Sequence, residues 1–254
     1  MKLRVLDLFS GIGGFSLGLE RTGGFETVAF CEIEPFPRRV LAKHWPEVPC
    51  YEDVTKLTGD ILRRDGIAVD VITGGFPCQD ISTAGKQAGI GEGTRSGLWS
   101  EIVRLIGELS PRYVIVENVA NLLSGPSDQR GGWFGRVLGD LAEIRYDAEW
   151  QSIPASYVGC RQLRDRVWIV AHPQRDSLQG RSIVAAAWKD KSRDEQLAGL
   201  LQPPSWPTIS SARSSGTGHG IPFGTHRNRS IGNAVVPQIP ELIGRAILAA
   251  EGKT

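Results

Sequence analysis

The sequence predicts an α/β fold: a sheet with helices on both faces, and a small loop-rich lobe attached. Three observations point to it. Short apolar, often β-branched runs at 3–8, 26–31, 69–73, 113–116 and 167–171 read as buried strands. Stretches with an apolar helical face alternate with them. Glycine turns, a cysteine and single carboxylates stand just after the strands, at the edge where open α/β sheets collect ligands.

The first strand, 3–8, runs into Phe9-Ser10-Gly11-Ile12-Gly13-Gly14 and a helix over 15–21. A glycine turn between strand and helix lets backbone N–H groups approach a ligand at a helix end that favours negative charge. The spacing is not GxGxxG and no GK[ST] follows, so phosphate is not the expected ligand. A glycine turn preceded by phenylalanine better suits the carboxylate and adenosine of S-adenosylmethionine, although tight turns also use glycine for steric reasons alone. The second strand ends in Glu32-Ile33-Glu34-Pro35. Glu32, about twenty residues after the turn, is placed to accept the ribose hydroxyls. Pro35 opens a helix over 36–44. Asp53, after a third short strand, reads either as an acceptor for an adenine amino group or as a cap, because Thr55 and Lys56 follow.

The strand 69–73 leads to Gly74-Gly75-Phe76-Pro77-Cys78-Gln79-Asp80-Ile81-Ser82. Cys78 in that stiff turn is a candidate nucleophile; taken alone it reads equally as a small buried apolar residue. Residues 83–97 hold five glycines and scattered cations, the composition of a lid, with Lys86 and Arg95 available to phosphates. A helix over 98–108 follows. The strand 113–116 then delivers Glu117-Asn118-Val119, a carboxylate costly to bury without a task or partner. A helix over 133–144 and a strand near 147–153 precede Gln162-Leu163-Arg164-Asp165-Arg166. Period two puts Arg164 and Arg166 on one side of an extended segment, which suits an anionic or carbonyl-rich ligand. The alternative is an ion pair with a neighbouring carboxylate, Glu117 among them. Residues 172–228 are loop-rich and weakly periodic, a separate lobe or long insertion, and 229–238 feed an amphipathic helix over 239–250.

The chain has 254 residues, 41% hydrophobic and 22% charged, enough for one α/β domain with a small appendage. No apolar run approaches the ~20 residues that span a bilayer, and no signal-peptide core follows Met1, so a cytoplasmic protein without membrane contact is expected. The cysteines at 31, 50, 78 and 160 lack CxxC or zinc spacing and read as free thiols, with no metal site. Net charge is +1, yet 161–229 carry eleven Lys/Arg against five Asp/Glu. That local excess fits a nucleic-acid face and equally a solvated surface.

With these motifs in place the chain resembles the DNA cytosine-5 methyltransferases. The resemblance runs over 3–171 and resumes over 229–250. It rests on Asp7–Gly14, Gly74–Gln79, Glu117-Asn118-Val119, the Q-x-R-x-R of 162–166 and Gly232-Asn233-Ala234-Val235-Val236-Pro237, in the family's order. It implies a Rossmann-like S-adenosylmethionine-dependent methyltransferase sheet, with Cys78 as the nucleophile adding to C6 of cytosine. Glu117 is the implied acid at N3, and Arg164 and Arg166 support the ring and the carboxylate. The implied cofactor residues are Phe9, Gly11, Ile12, Gly13, Gly14, Glu32, Ile33, Asp53, Val54, Pro77, Leu98, Asn233 and Val235. Those facing double-stranded DNA are Gln79, Ser82, Lys86, Arg95, Arg227 and Arg229. A catalytic domain over 1–171, with 229–254 packed back on it, would carry a recognition lobe at 172–228. At 57 residues that lobe is short for the family. The chain is expected to be a monomer, with a restriction endonuclease or other specificity partner as an option. The competing readings are a tRNA cytosine-5 methyltransferase and a non-catalytic DNA-binding relative.

Overall fold

The computed structural model describes residues 1–76, 98–124, 132–160, 164–174, 182–183, 186, 230 and 232–253. Among these, seven strands form one sheet: β1 Leu3–Leu8, β2 Phe25–Cys31, β3 Cys50–Tyr51, β4 Val71–Gly74, β5 Tyr113–Val119, β6 Tyr146–Pro154 and β7 Asp165–Pro173. Their order is β3-β2-β1-β4-β5-β7-β6. The first five are parallel, whereas β7 runs antiparallel to both β5 and β6. The order reverses between β1 and β4, so the crevice of a doubly wound sheet opens at their carboxyl ends. The turns that begin at Phe9 and Gly75 leave the sheet there.

Alternation along the strands sorts the core into two layers. Leu6, Leu8, Ile72, Val114 and Val116 face helix α4 (Trp99–Leu109) and helix α5 (Gly132–Glu143). Leu3, Val5, Val71 and Ile115 face helix α1 (Gly14–Glu20) and the C-terminal helix α6 (Gln238–Ala250). Helix α2 (Pro35–His44) starts at a proline preset for that position and ends in Lys43 and His44, which favour the negative helix end. Helix α3 (Gly59–Arg64) has no counterpart in the periodicity reading; Thr58 caps it by accepting from the Ile61 N–H at 3.2 Å.

Helices α1 and α6 approach closely because glycine leaves room. A Cβ at Gly14 would meet the Val235 carbonyl, and one at Gly18 the Pro237 carbonyl. The closing segment is thereby seated on the start of α1. Ile183 is buried in the same layer, and Glu149 of β6 accepts from the Ser182 hydroxyl at 2.5 Å and the Ile183 N–H at 3.2 Å. Of the expected 172–228 lobe, His172 and Pro173 thus belong to β7, and Ser182 and Ile183 pack against the sheet. Among the described residues no helix is long and apolar enough to cross a membrane.

Candidate active site

The turn after β1 is fixed from both sides. Phe9 adopts a left-handed φ of 51°, a conformation costly for a bulky residue. The Ser10 hydroxyl donates to the Asp7 carbonyl at 2.5 Å, and the Ser10 N–H donates to the Cys31 carbonyl at 3.2 Å. Gly11, at φ 53°, faces open space. Gly13 is required by packing: at φ 86° its absent side chain would lie 2.7 Å from the ring of Trp45 at the end of α2. Ile12 sits between these two glycines. Glu32 is buried, its Oε2 accepting from the Gly11 N–H at 2.8 Å and its Oε1 from the Glu34 N–H at 2.7 Å. Burial pushes its carboxyl up, against those amide bonds. Beside it Ile33 is 62% exposed, an apolar surface without a cover among the described residues.

Asp53 is engaged in its own turn. Its Oδ1 accepts from the Thr55 N–H at 3.0 Å and the Thr55 hydroxyl at 2.7 Å, and Lys56 lies 3.6 Å from Oδ2. The bonds from Thr55 hold its carboxyl below the usual range. Val54 next to it is buried, and the Arg104 guanidinium of α4 donates to the carbonyls of Val54 (3.1 Å) and Leu57 (2.8 Å). Leu98, half-buried, stands immediately before α4. Asn233 is exposed and Val235 half-buried, the latter against Gly14.

Across the crevice, β5 and β7 bring the acid and the cations together. Glu117 pairs across the sheet with Trp168, and Val119 with Arg166. The Arg166 Nε lies 2.8 Å from Glu117 Oε1. Burial raises the Glu117 pKa, with Arg166 and then Arg164 acting against it. Arg164 donates to the Ala234 carbonyl at 2.8 Å, tying the two arginines to different neighbours. A Cβ at Gly75 would stand 3.2 Å from Glu117 Oε2, so the turn after β4 passes directly beside the acid. Asn118, buried, donates from Nδ2 to the Phe76 carbonyl at 3.2 Å and accepts from the Val119 N–H at 2.8 Å. It braces the same turn, a task the sequence reading gave to no residue; a buried amide at a strand end was the available signal. Pro77, Cys78, Gln79, Ser82, Lys86, Arg95, Arg227 and Arg229 lie outside the described residues.

A family model described as C-5 cytosine-specific DNA methylase matches residues 3–216. The type II methyltransferase M.Sau3AI of Staphylococcus aureus is 36% identical over 185 residues, covering 68% of this chain and 44% of that protein. The type II methyltransferase M2.BsuMI of Bacillus subtilis is 35% identical over 173 residues, covering 66% and 42%. The chain thus spans less than half the length of these relatives. Among solved structures, an inferred DNA modification methyltransferase encoded within an E. coli prophage superposes with a TM-score of 0.57 at 28% identity, covering 68% of this chain and 47% of that one. A DNMT2 variant of Spodoptera frugiperda gives 0.55 at 22% identity, over 69% and 51%, a likeness of fold.

Proposed function

Because the chain belongs to the C-5 cytosine-specific DNA methylase family, we propose that it methylates C5 of a flipped-out cytosine in double-stranded DNA, with S-adenosylmethionine as donor. The observation that carries this reading is Glu117. It is a buried acid with a raised pKa, oriented by Arg166 at 2.8 Å and set beside Gly75 of the turn that leads to Cys78.

The residues around the β1 turn fit the donor. Gly11 faces open space, Ile33 is exposed, and Glu32 lies beneath them. Phe9, Gly11, Ile12, Gly13 and Gly14 would hold its amino-acid end and Glu32 its ribose. Ile33, Asp53 and Val54 would hold its adenine, with Pro77, Leu98, Asn233 and Val235 completing the set. When bound, S-adenosylmethionine would supply a sulfonium methyl group that a carbon nucleophile can take, with S-adenosylhomocysteine as the neutral leaving group.

C5 of cytosine is a poor nucleophile until C6 is attacked. The Cys78 thiolate forms a bond to C6, the C5=C6 electron pair moves into the ring, and Glu117 delivers a proton to N3. C5 is then an enamine carbon able to take the methyl group. Loss of the C5 proton to a base, departure of the Cys78 sulfur from C6 as thiolate and return of the N3 proton to Glu117 restore the aromatic ring. Arg166 keeps Glu117 aimed, and Arg164 ties its strand to the closing segment. A base inside a duplex is out of reach, so the cytosine leaves the stack, and Gln79 and Ser82 are the residues that would contact the DNA there. Lys86, Arg95, Arg227 and Arg229 would meet phosphates, and 172–228 would serve as recognition lobe on a catalytic unit of 1–171 and 229–254.

Transfer of tritiated methyl groups to DNA and to tRNA tests the reading, with Cys78→Ala and Cys78→Ser as controls. Incorporation into DNA that both variants abolish is the expected result. Transfer to tRNA alone, or transfer by either variant at the wild-type rate, overturns it.

A further inference from the structure

Asp7 is a fully buried carboxylate that the chemistry above does not use. Alternation along β1 sets it on the face of Leu3 and Val5, against α1. Its Oδ2 accepts from the Ser16 hydroxyl at 2.8 Å and its Oδ1 from the Thr73 hydroxyl at 2.8 Å. Both hydroxyl residues are themselves fully buried. Ser16 is in the first turn of α1, immediately behind the glycine turn. Thr73 pairs with Asp7 across β1 and β4 and stands just before Gly74-Gly75-Phe76. The Asp7 carbonyl also takes the Ser10 hydroxyl. The Asp7 side chain therefore ties the first turn of α1, which carries the cofactor turn, to the strand that enters the nucleophile turn, while its backbone carbonyl holds Ser10 of the cofactor turn.

We propose that Asp7 is a positioning residue that clamps the cofactor turn to β4, so that donor binding and the placement of Gly74–Phe76 are coupled; this rests on the functional reading above. Asparagine of the same shape would fill the place without burying a charge. Burial pushes the Asp7 carboxyl up from 3.8 to about 7, opposed by Ser16 and Thr73. The folded protein thus keeps a proton that the unfolded chain has released, and stability falls as pH rises between those two values. In return, the charged form accepts both hydroxyls at once, which neither the protonated acid nor an amide does without turning one hydroxyl round. The surrounding charges are few. Glu32 at the end of β2 is the one felt at Asp7. On α1, Glu20 is bonded to Trp45; on α6, Glu241 pairs with Arg245; on β5, Glu117 pairs with Arg166; β4 has none.

Calorimetry with S-adenosylmethionine and S-adenosylhomocysteine on the whole chain tests the clamp. Wild-type affinity is expected to rise between about pH 6 and about pH 8, as Asp7 ionises, and the Asp7→Asn variant to lack that rise. Thr73→Val, deep in the sheet, is expected to weaken binding about fivefold at the upper pH, and Thr73→Ser to restore it. If Asp7→Asn does not fold, the Thr73 pair carries the test. Wild-type affinity in Thr73→Val, or a wild-type pH profile in Asp7→Asn, overturns the clamp whatever thermal stability does. A wild-type chain that binds neither compound overturns the functional reading and the clamp together.

Discussion

Two buried glutamates stand on the same sheet edge and are held in opposite ways. Glu32, beyond β2, is gripped by neutral backbone, with N–H groups of Gly11 and Glu34 at 2.8 and 2.7 Å. Glu117, in β5, faces a guanidinium at 2.8 Å, with the charge of Arg164 also felt. Burial raises both carboxyls. Amides orient a carboxylate yet leave its charge and remaining lone pairs to an outside hydroxyl. A guanidinium offsets the charge and makes proton affinity depend on where the cation sits. In the proposed function the first is a holding device and the second a proton device.

The contrast breaks most visibly at Glu117. Glu117→Gln is expected to lower kcat by roughly 10²–10⁴-fold, the span of a lost general acid, with donor affinity unchanged. Single-turnover methyl transfer beside calorimetry reads both, and a matching loss of affinity would erase the distinction. Arg166→Met comes next. It leaves the carboxylate buried without its cation, and removing one member of such a pair costs about 3 kcal/mol. The Glu117 pKa then climbs further, so the folded state holds its proton more tightly than the unfolded chain does. The loss therefore grows as pH rises above about 4.3 and shrinks in acid. Urea titrations at two pH values measure it, and a loss independent of pH would assign Arg166 to packing.

Glu32→Ala should act on the other quantity. Donor affinity is expected to weaken by roughly 1–3 kcal/mol as hydroxyl contacts and the Gly11 amide lose their acceptor, with kcat at saturating donor retained. A fall in kcat with intact affinity would move Glu32 into the chemistry.

How much of this was legible follows from what each signal depends on. The runs 3–8, 26–31, 69–73 and 113–116 announce buried strands because most of their positions are apolar and often β-branched, while their parallel pairing shows only in the structure. Glu32 and Glu117 were legible as acids ending such runs. Helix α3 was not, since six residues with Ile61 and Leu62 as their apolar pair are too short to show a period. The partner of Arg166 was one of two open readings, because period two gives a side and not a neighbour. The sequence leaves Gly13 open between clearance for a ligand and a steric need of the turn, and the Trp45 ring that decides for sterics is beside it only once α2 has folded back. Asp7 was read as part of a motif, and its two hydroxyl partners come from sequence positions nine and sixty-six residues away.

The smallest effect concerns Asp53, where the two readings of the sequence still meet. Its Oδ1 serves Thr55, as a cap would, while the residue stands beside Val54 on the adenine side of the proposed pocket. Asp53→Ser keeps a side-chain oxygen able to accept from the Thr55 N–H, so stability is expected to stay within about 0.5 kcal/mol. The carboxylate's reach toward a ligand is lost. If that reach holds the adenine amino group, S-adenosylhomocysteine affinity falls by about 1 kcal/mol. The inosine analogue, which lacks the exocyclic amine, then binds wild type and variant alike. Calorimetry with both compounds decides, and equal affinities throughout would leave Asp53 to its turn and the adenine to Ile33 and Val54.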